Sequence, residues 1–158
     1  MDSLAAARRL NSVGRYREAL EELQSVDTHR STLEAQLLRA ELLTITGQPA
    51  QALQILQQLD KAKLWTDSER SHSEFIRSRI AKEEGNFDGQ LQHLQRSLAA
   101  AERAHDLERT CLAQLHLIGL VADRSGPDSV GTLVTATREN ATRLGDPTIT
   151  AMLHVVVG

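Results

Sequence analysis

Apolar residues recur along this chain at intervals of three and four. Over 33 to 43, Leu33, Leu37, Ala40 and either Leu43 or Ile45 line one face, while Glu34, Arg39 and Glu41 fall between them. That period predicts an amphipathic helix. Further on, Cys111, Leu115, Ile118 and Ala122 form an i, i+4, i+7, i+11 stripe, which predicts the buried face of another helix.

Helix ends are legible as well. Ser31 to Glu34 and Thr66 to Glu69 each place a hydroxyl three residues before a carboxylate, the pattern of a capping box. Asp146 followed by Pro147 supplies an acceptor at the cap and a preset φ at the first helical position. The segments NSVGRY, TITGQP, EEGNFD and DRSGPD each put a glycine where one helix stops and the next begins. The expected class is all-α, with helices in hairpin pairs.

Those turn glycines, Gly14, Gly47, Gly85 and Gly126, lie 33, 38 and 41 residues apart, a period typical of helical repeats. Similar words surround them: VGRYREALEEL, TGQPAQALQIL and, less faithfully, EGNFDGQLQHL. Seven residues before each glycine stands a small residue, Ala7, Ala40, Ser78 or Gly119. After it come Tyr16, Pro49, Phe87 and Asp128 at one position, and Ala19, Ala52, Gln90 and Gly131 at another.

This arrangement resembles a tetratricopeptide repeat (TPR) array, in which small residues let paired helices cross at roughly 8–10 Å. The resemblance implies one right-handed superhelical solenoid of about four antiparallel hairpins plus a final unpaired helix. The repeats would span 3–29, 31–61, 67–104 and 106–145, with a partial fifth over 146–158. Gln90, beside Gly89, departs from the pattern and predicts that the third hairpin is shifted by one residue or is the loosest. The longer later spacings, with ATRLGDP leading into another helix, are similar to TPR-like arrays of large bacterial signal-transduction regulators. PTITAMLHVVVG then reads as a first helix without its partner. It has no polar outer face of the kind a cap presents, so a fragment of a longer protein is expected rather than a terminal cap, with Val155, Val156 and Val157 as a sticky end prone to pairing with a second copy.

Composition narrows the partners. Of 158 residues, 41% are hydrophobic and 25% charged, ordinary for a folded domain. A net charge of −3 creates no global attraction for nucleic acid or an anionic membrane. The basic cluster of Arg8, Arg9, Arg15 and Arg17 is answered at once by Glu18, Glu21 and Glu22. A single cysteine fits a reducing compartment. The start MDSLAAARRL lacks a signal-peptide layout, and no apolar run reaches the ~18 residues of a membrane span. A cytoplasmic protein is expected.

Catalytic and metal motifs are missing: the sequence has no HExxH, no CxxC and no phosphate-binding loop. His29, His93 and His105 share no ligand spacing. Cys111 and His116 are five residues apart, roughly 500° around a helix, so they diverge. Neither an enzyme nor a cofactor nor a metal is expected. Trp65, just before the Thr66 cap, is expected to pack as a hydrophobic staple or against the previous helix rather than to serve as a binding anchor.

What the resemblance implies instead is a concave face built from the first helix of each pair. Carried over by register, it holds Leu4, Arg8 and Asn11, then Glu34, Leu38 and Glu41. Next come His72, Ile76, Arg79 and Lys82, and finally His116, Leu120 and Asp123. Some TPR relatives clamp a terminal carboxylate with lysine and asparagine, but Leu4, Arg8 and Leu38 occupy the matching places here. The expected ligand is a peptide or helical segment of a protein partner, in a scaffolding or adaptor role. The alternative is a regulatory segment of a larger multidomain protein.

Overall fold

The computed structural model describes residues 2–25, 32–62 and 65–158. Among them there is no strand, and the backbone forms nine α-helices. These are α1 (Ser3–Ser12), α2 (Tyr16–Gln24), α3 (Leu33–Ile45), α4 (Pro49–Ala62), α5 (Asp67–Glu83), α6 (Phe87–Arg103), α7 (Leu107–Ser125), α8 (Gly131–Leu144) and α9 (Pro147–Val157). A 3-10 turn, Pro127–Val130, separates α7 from α8. No helix among the described residues is long and apolar enough to cross a membrane.

The caps follow local chemistry. At α5 the Thr66 hydroxyl accepts from the Glu69 N–H at 3.2 Å, and the Glu69 carboxylate accepts from the Thr66 N–H at 2.7 Å. Two of the helix's orphan donors are thereby satisfied reciprocally. Asp146 caps α9 through Thr148 N–H, with Pro147 in the first turn. At α3 the cap is Thr32, which accepts from Ala35 N–H; Ser31, expected in that role, lies outside the described residues, as does His29.

Helices α1, α3 and α5 end alike. Gly85, at φ +69°, donates to the Lys82 carbonyl at 3.0 Å, and Asn86 N–H reaches back to the Ala81 carbonyl at 2.8 Å. The same pair of bonds closes α1 at Gly14 and α3 at Gly47. This termination needs left-handed backbone, which glycine adopts without a Cβ penalty. One turn uses it without glycine: His105, at φ +52°, closes α6 by bonding Glu102, while Asp106 bonds Ala101.

Contacts divide the chain into two compact units, Met1–Leu64 and Trp65–Gly158. In the first, α1 packs on α2, α3 on α4 and α2 on α3. Ala7, Ala19, Ala40 and Ala52 are all fully buried, as expected of small residues where helices approach closely. Leu37, Leu42, Leu43 and Leu56 fill the space around them.

In the second unit α5 packs on α6, α6 on α7, α7 on α8, and α9 on both α7 and α8. Phe75, Leu94, Leu117 and Leu120 form one apolar cluster. Cys111, Leu115, Ile118, Val130, Ala141, Ile149 and Leu153 form the other. The expected Cys111 stripe is therefore core. Trp65 is half-buried.

The α5/α6 pair corrects the expectation of a loose third hairpin. Ser71 and Ser97, both fully buried, bond across it, and Glu74 bonds His93 at 2.6 Å. Gly89 is not an interior glycine but sits in the first turn of α6, where its N–H donates to the Asn86 side chain at 2.9 Å. A Cβ on Gly89 would stand 2.5 Å from that capping amide, so the cap itself explains the glycine. Gln90 is buried. In the fourth pair Gly131, expected at a close approach, is exposed at the first position of α8 with nothing near its Cβ direction.

Candidate functional site: a hollow over Gly119

In the second unit a cavity of about 240 Å³ opens over α7. Leu115, His116, Gly119, Leu120 and Asp123 of α7 form its floor. Lys82 of α5 with Phe87 and Gln90 of α6 stand on one side, and Met152 and Val156 of α9 on the other. Of seven large apolar side chains exposed among the described residues, Phe87, Met152 and Val156 line this one hollow. Clustered exposed apolar surface of this kind marks interaction sites, whereas single exposed apolar residues do not.

Gly119 was expected to be small because another helix crosses there. The structure corrects this: a Cβ added at Gly119 meets no atom within 4 Å. Glycine inside a helix costs ~1 kcal/mol relative to alanine, and packing gives α7 no reason to carry it at this place. The missing side chain leaves the hollow open instead.

Behind the hollow, Phe75 links α5 to α7. Its ring meets His116 edge-on, with centroids 4.7 Å apart and planes at 81°. The Arg79 guanidinium lies 5.2 Å from the centre of the same ring, a cation–π arrangement. Arg79 Nε is buried and has no hydrogen-bond partner. At the rim Arg124 sits 5.6 Å from the Phe87 ring and pairs with Asp88 at 3.3 Å.

The residues expected on a concave face divide into three groups. Leu38, His72 and Ile76 are buried in the fold and present no binding surface, which corrects their assignment. Arg8 and Glu34 are brought together as an ion pair joining α1 to α3; Asn11 and Glu41, on the same two helices, are half-buried. Lys82, His116 and Asp123 line the hollow, with Arg79 one turn before Lys82. Sequence reasoning missed the walls: the repeat register gives Phe87 a position but no role in a site, and it is 54% exposed.

A larger space of about 660 Å³ in the first unit is bounded by Gly14–Glu18 and Ile45–Gly47. It is a shallow gap between two turns, and its main charged groups, Arg15 and Glu18, already pair with each other. Ligand chemistry is weaker there. Among the described residues no group of three or more His, Cys, Asp or Glu side chains is placed to hold a metal ion. The Cys111 thiol is pushed up, first by burial and then by the negative charges of Asp146 and Glu108, which makes it a poor nucleophile.

No family model matches the chain, and neither any curated protein nor any solved structure does.

Proposed function

We propose that the chain is a protein–protein interaction module that binds a peptide or helical segment of a partner, in a scaffolding or adaptor role. Its helices are read as a right-handed solenoid of antiparallel hairpins of the TPR kind, with α9 as an added helix. The observation that carries the reading is the convergence of Phe87, Met152 and Val156 on one hollow bordered by Lys82 and Asp123. An apolar centre with a charged border is the ordinary anatomy of a protein-binding surface. The order of helices, each closed by the same left-handed turn at α1, α3 and α5, supports a repeat architecture behind it.

Affinity capture from a lysate of the source cells tests this reading, run with the native chain and with an Arg79→Glu, Lys82→Glu variant whose circular dichroism is unchanged. A protein retained by the native chain and lost by the variant is the expected result. Identical captures by both chains would count against binding at this surface.

A further inference from the structure

We propose that the hollow over Gly119 seats one large apolar side chain of the partner polypeptide, from a segment that carries a carboxylate next to that anchor on the α5 side. This rests on the polypeptide-binding reading and adds the chemistry of the ligand. Size argues for a single anchor. At about 240 Å³ the cavity is smaller than the ~300–1,000 Å³ typical of small-molecule sites. Binding energy at protein interfaces concentrates in a few side chains buried in such pockets.

The lining argues for an apolar occupant. Phe87, Met152 and Val156 stand at the walls above buried Leu115 and Leu120, and a side chain at Gly119 would project into open space. Met152 is 39% and Val156 38% exposed, surface that an anchor would cover.

Charge argues for the acid. Lys82 borders the hollow, and Arg79 stands one turn earlier on α5. Lys82 is exposed and in no ion pair among the described residues, so its ammonium is open to a ligand carboxylate, a charge-assisted partner. Asp123 borders the α7 side, so a ligand carboxylate is attracted toward α5 and repelled from α7.

A display library of random twelve-residue peptides, panned against the full chain, tests the proposal. Enriched sequences are expected to share one large aliphatic or aromatic residue with Asp or Glu beside it. The best peptide, made synthetically, is expected to bind at least tenfold more weakly to Gly119→Leu and to Met152→Glu, both checked for folding by circular dichroism. Lys82→Glu is expected to weaken it too, and exchanging the peptide's acid for lysine to restore binding to that variant. Equal binding to the native chain, Gly119→Leu and Met152→Glu would overturn the anchor seat while leaving polypeptide binding intact. Enriched peptides without a shared acid would overturn the charge assignment. No enrichment at all would remove both this inference and the reading beneath it.

Discussion

Ser71 on α5 and Ser97 on α6 each donate to the other's backbone carbonyl at 2.8 Å, with their hydroxyl oxygens 3.1 Å apart. Both residues are fully buried. A serine at each side keeps the helices close while satisfying its own hydroxyl, so a polar pair does here what Ala19 and Ala52 do by size in the first unit. The clasp also shows why α5 and α6 pack well although their sequence follows the repeat pattern loosely.

Ser71→Ala removes one donor and is expected to lower stability by ~1 kcal/mol, the usual net worth of an intramolecular hydrogen bond. Because each hydroxyl donates to a different backbone carbonyl, the double Ser71→Ala, Ser97→Ala variant should cost about the sum of the two single changes, ~2 kcal/mol. Ser71→Leu should cost ~1–3 kcal/mol through overpacking. Urea denaturation of the native chain and the four variants checks this, and single alanine changes without cost would contradict the clasp.

His105 holds left-handed backbone at φ +52° in the turn after α6, a conformation that costs a non-glycine residue roughly 1–2 kcal/mol. The side chain is exposed, so little packing is lost when it is removed. His105→Gly is expected to raise stability by about 1 kcal/mol, read as a higher melting temperature. A lower one would show that the imidazole makes a contribution the backbone geometry does not reveal.

Gly119→Ala should stabilise the protein by up to ~1 kcal/mol, the propensity difference inside a helix, because nothing opposes the new methyl group. A destabilised variant would restore the helix-crossing explanation of this glycine. Stabilisation with weakened ligand binding would fit a residue retained for the hollow at some expense in stability.

Cys111 is fully buried in the α7–α9 cluster, and its thiol is raised above the ordinary range mainly by that burial. The unfolded chain therefore releases the thiol proton at lower pH than the folded one. The resulting stability is complete below the unfolded value of ~8.5 and is lost as pH rises from there through the folded value. The stability of the native chain should fall more steeply above pH ~8.5 than that of Cys111→Ala, as measured by urea titrations at several pH values. Parallel curves for the two chains would contradict the shift.

Much of the scaffold was legible because its signals are local. Thr66 with Glu69, Asp146 with Pro147, and the turn glycines act within a few residues of themselves, and the structure uses each as the sequence suggests. The Cys111 stripe was legible for the same reason. Positions around the hollow were harder, since a helical period identifies a face without telling what covers it. His72 and Ile76 share a helix with Lys82, but α5 is buried along most of its length and only its end reaches the hollow. Serine spacing did not announce the Ser71–Ser97 clasp, which joins residues 26 apart. Gly119 fitted the repeat pattern, and only the empty space beyond it separates an opening from a packing contact.

The chain has two methionines, Met1 and Met152, so a methionine-methyl NMR spectrum carries a single reporter at the hollow. Titration with an anchor peptide selected on the full chain tests the central claim that a partner polypeptide seats over Gly119. The account predicts a saturable shift of the Met152 methyl, with Leu115, Leu120 and Val156 methyls moving alongside it and those of Leu37 and Leu42 in the first unit unmoved. A bound peptide that left Met152 unshifted while perturbing the first unit would contradict it.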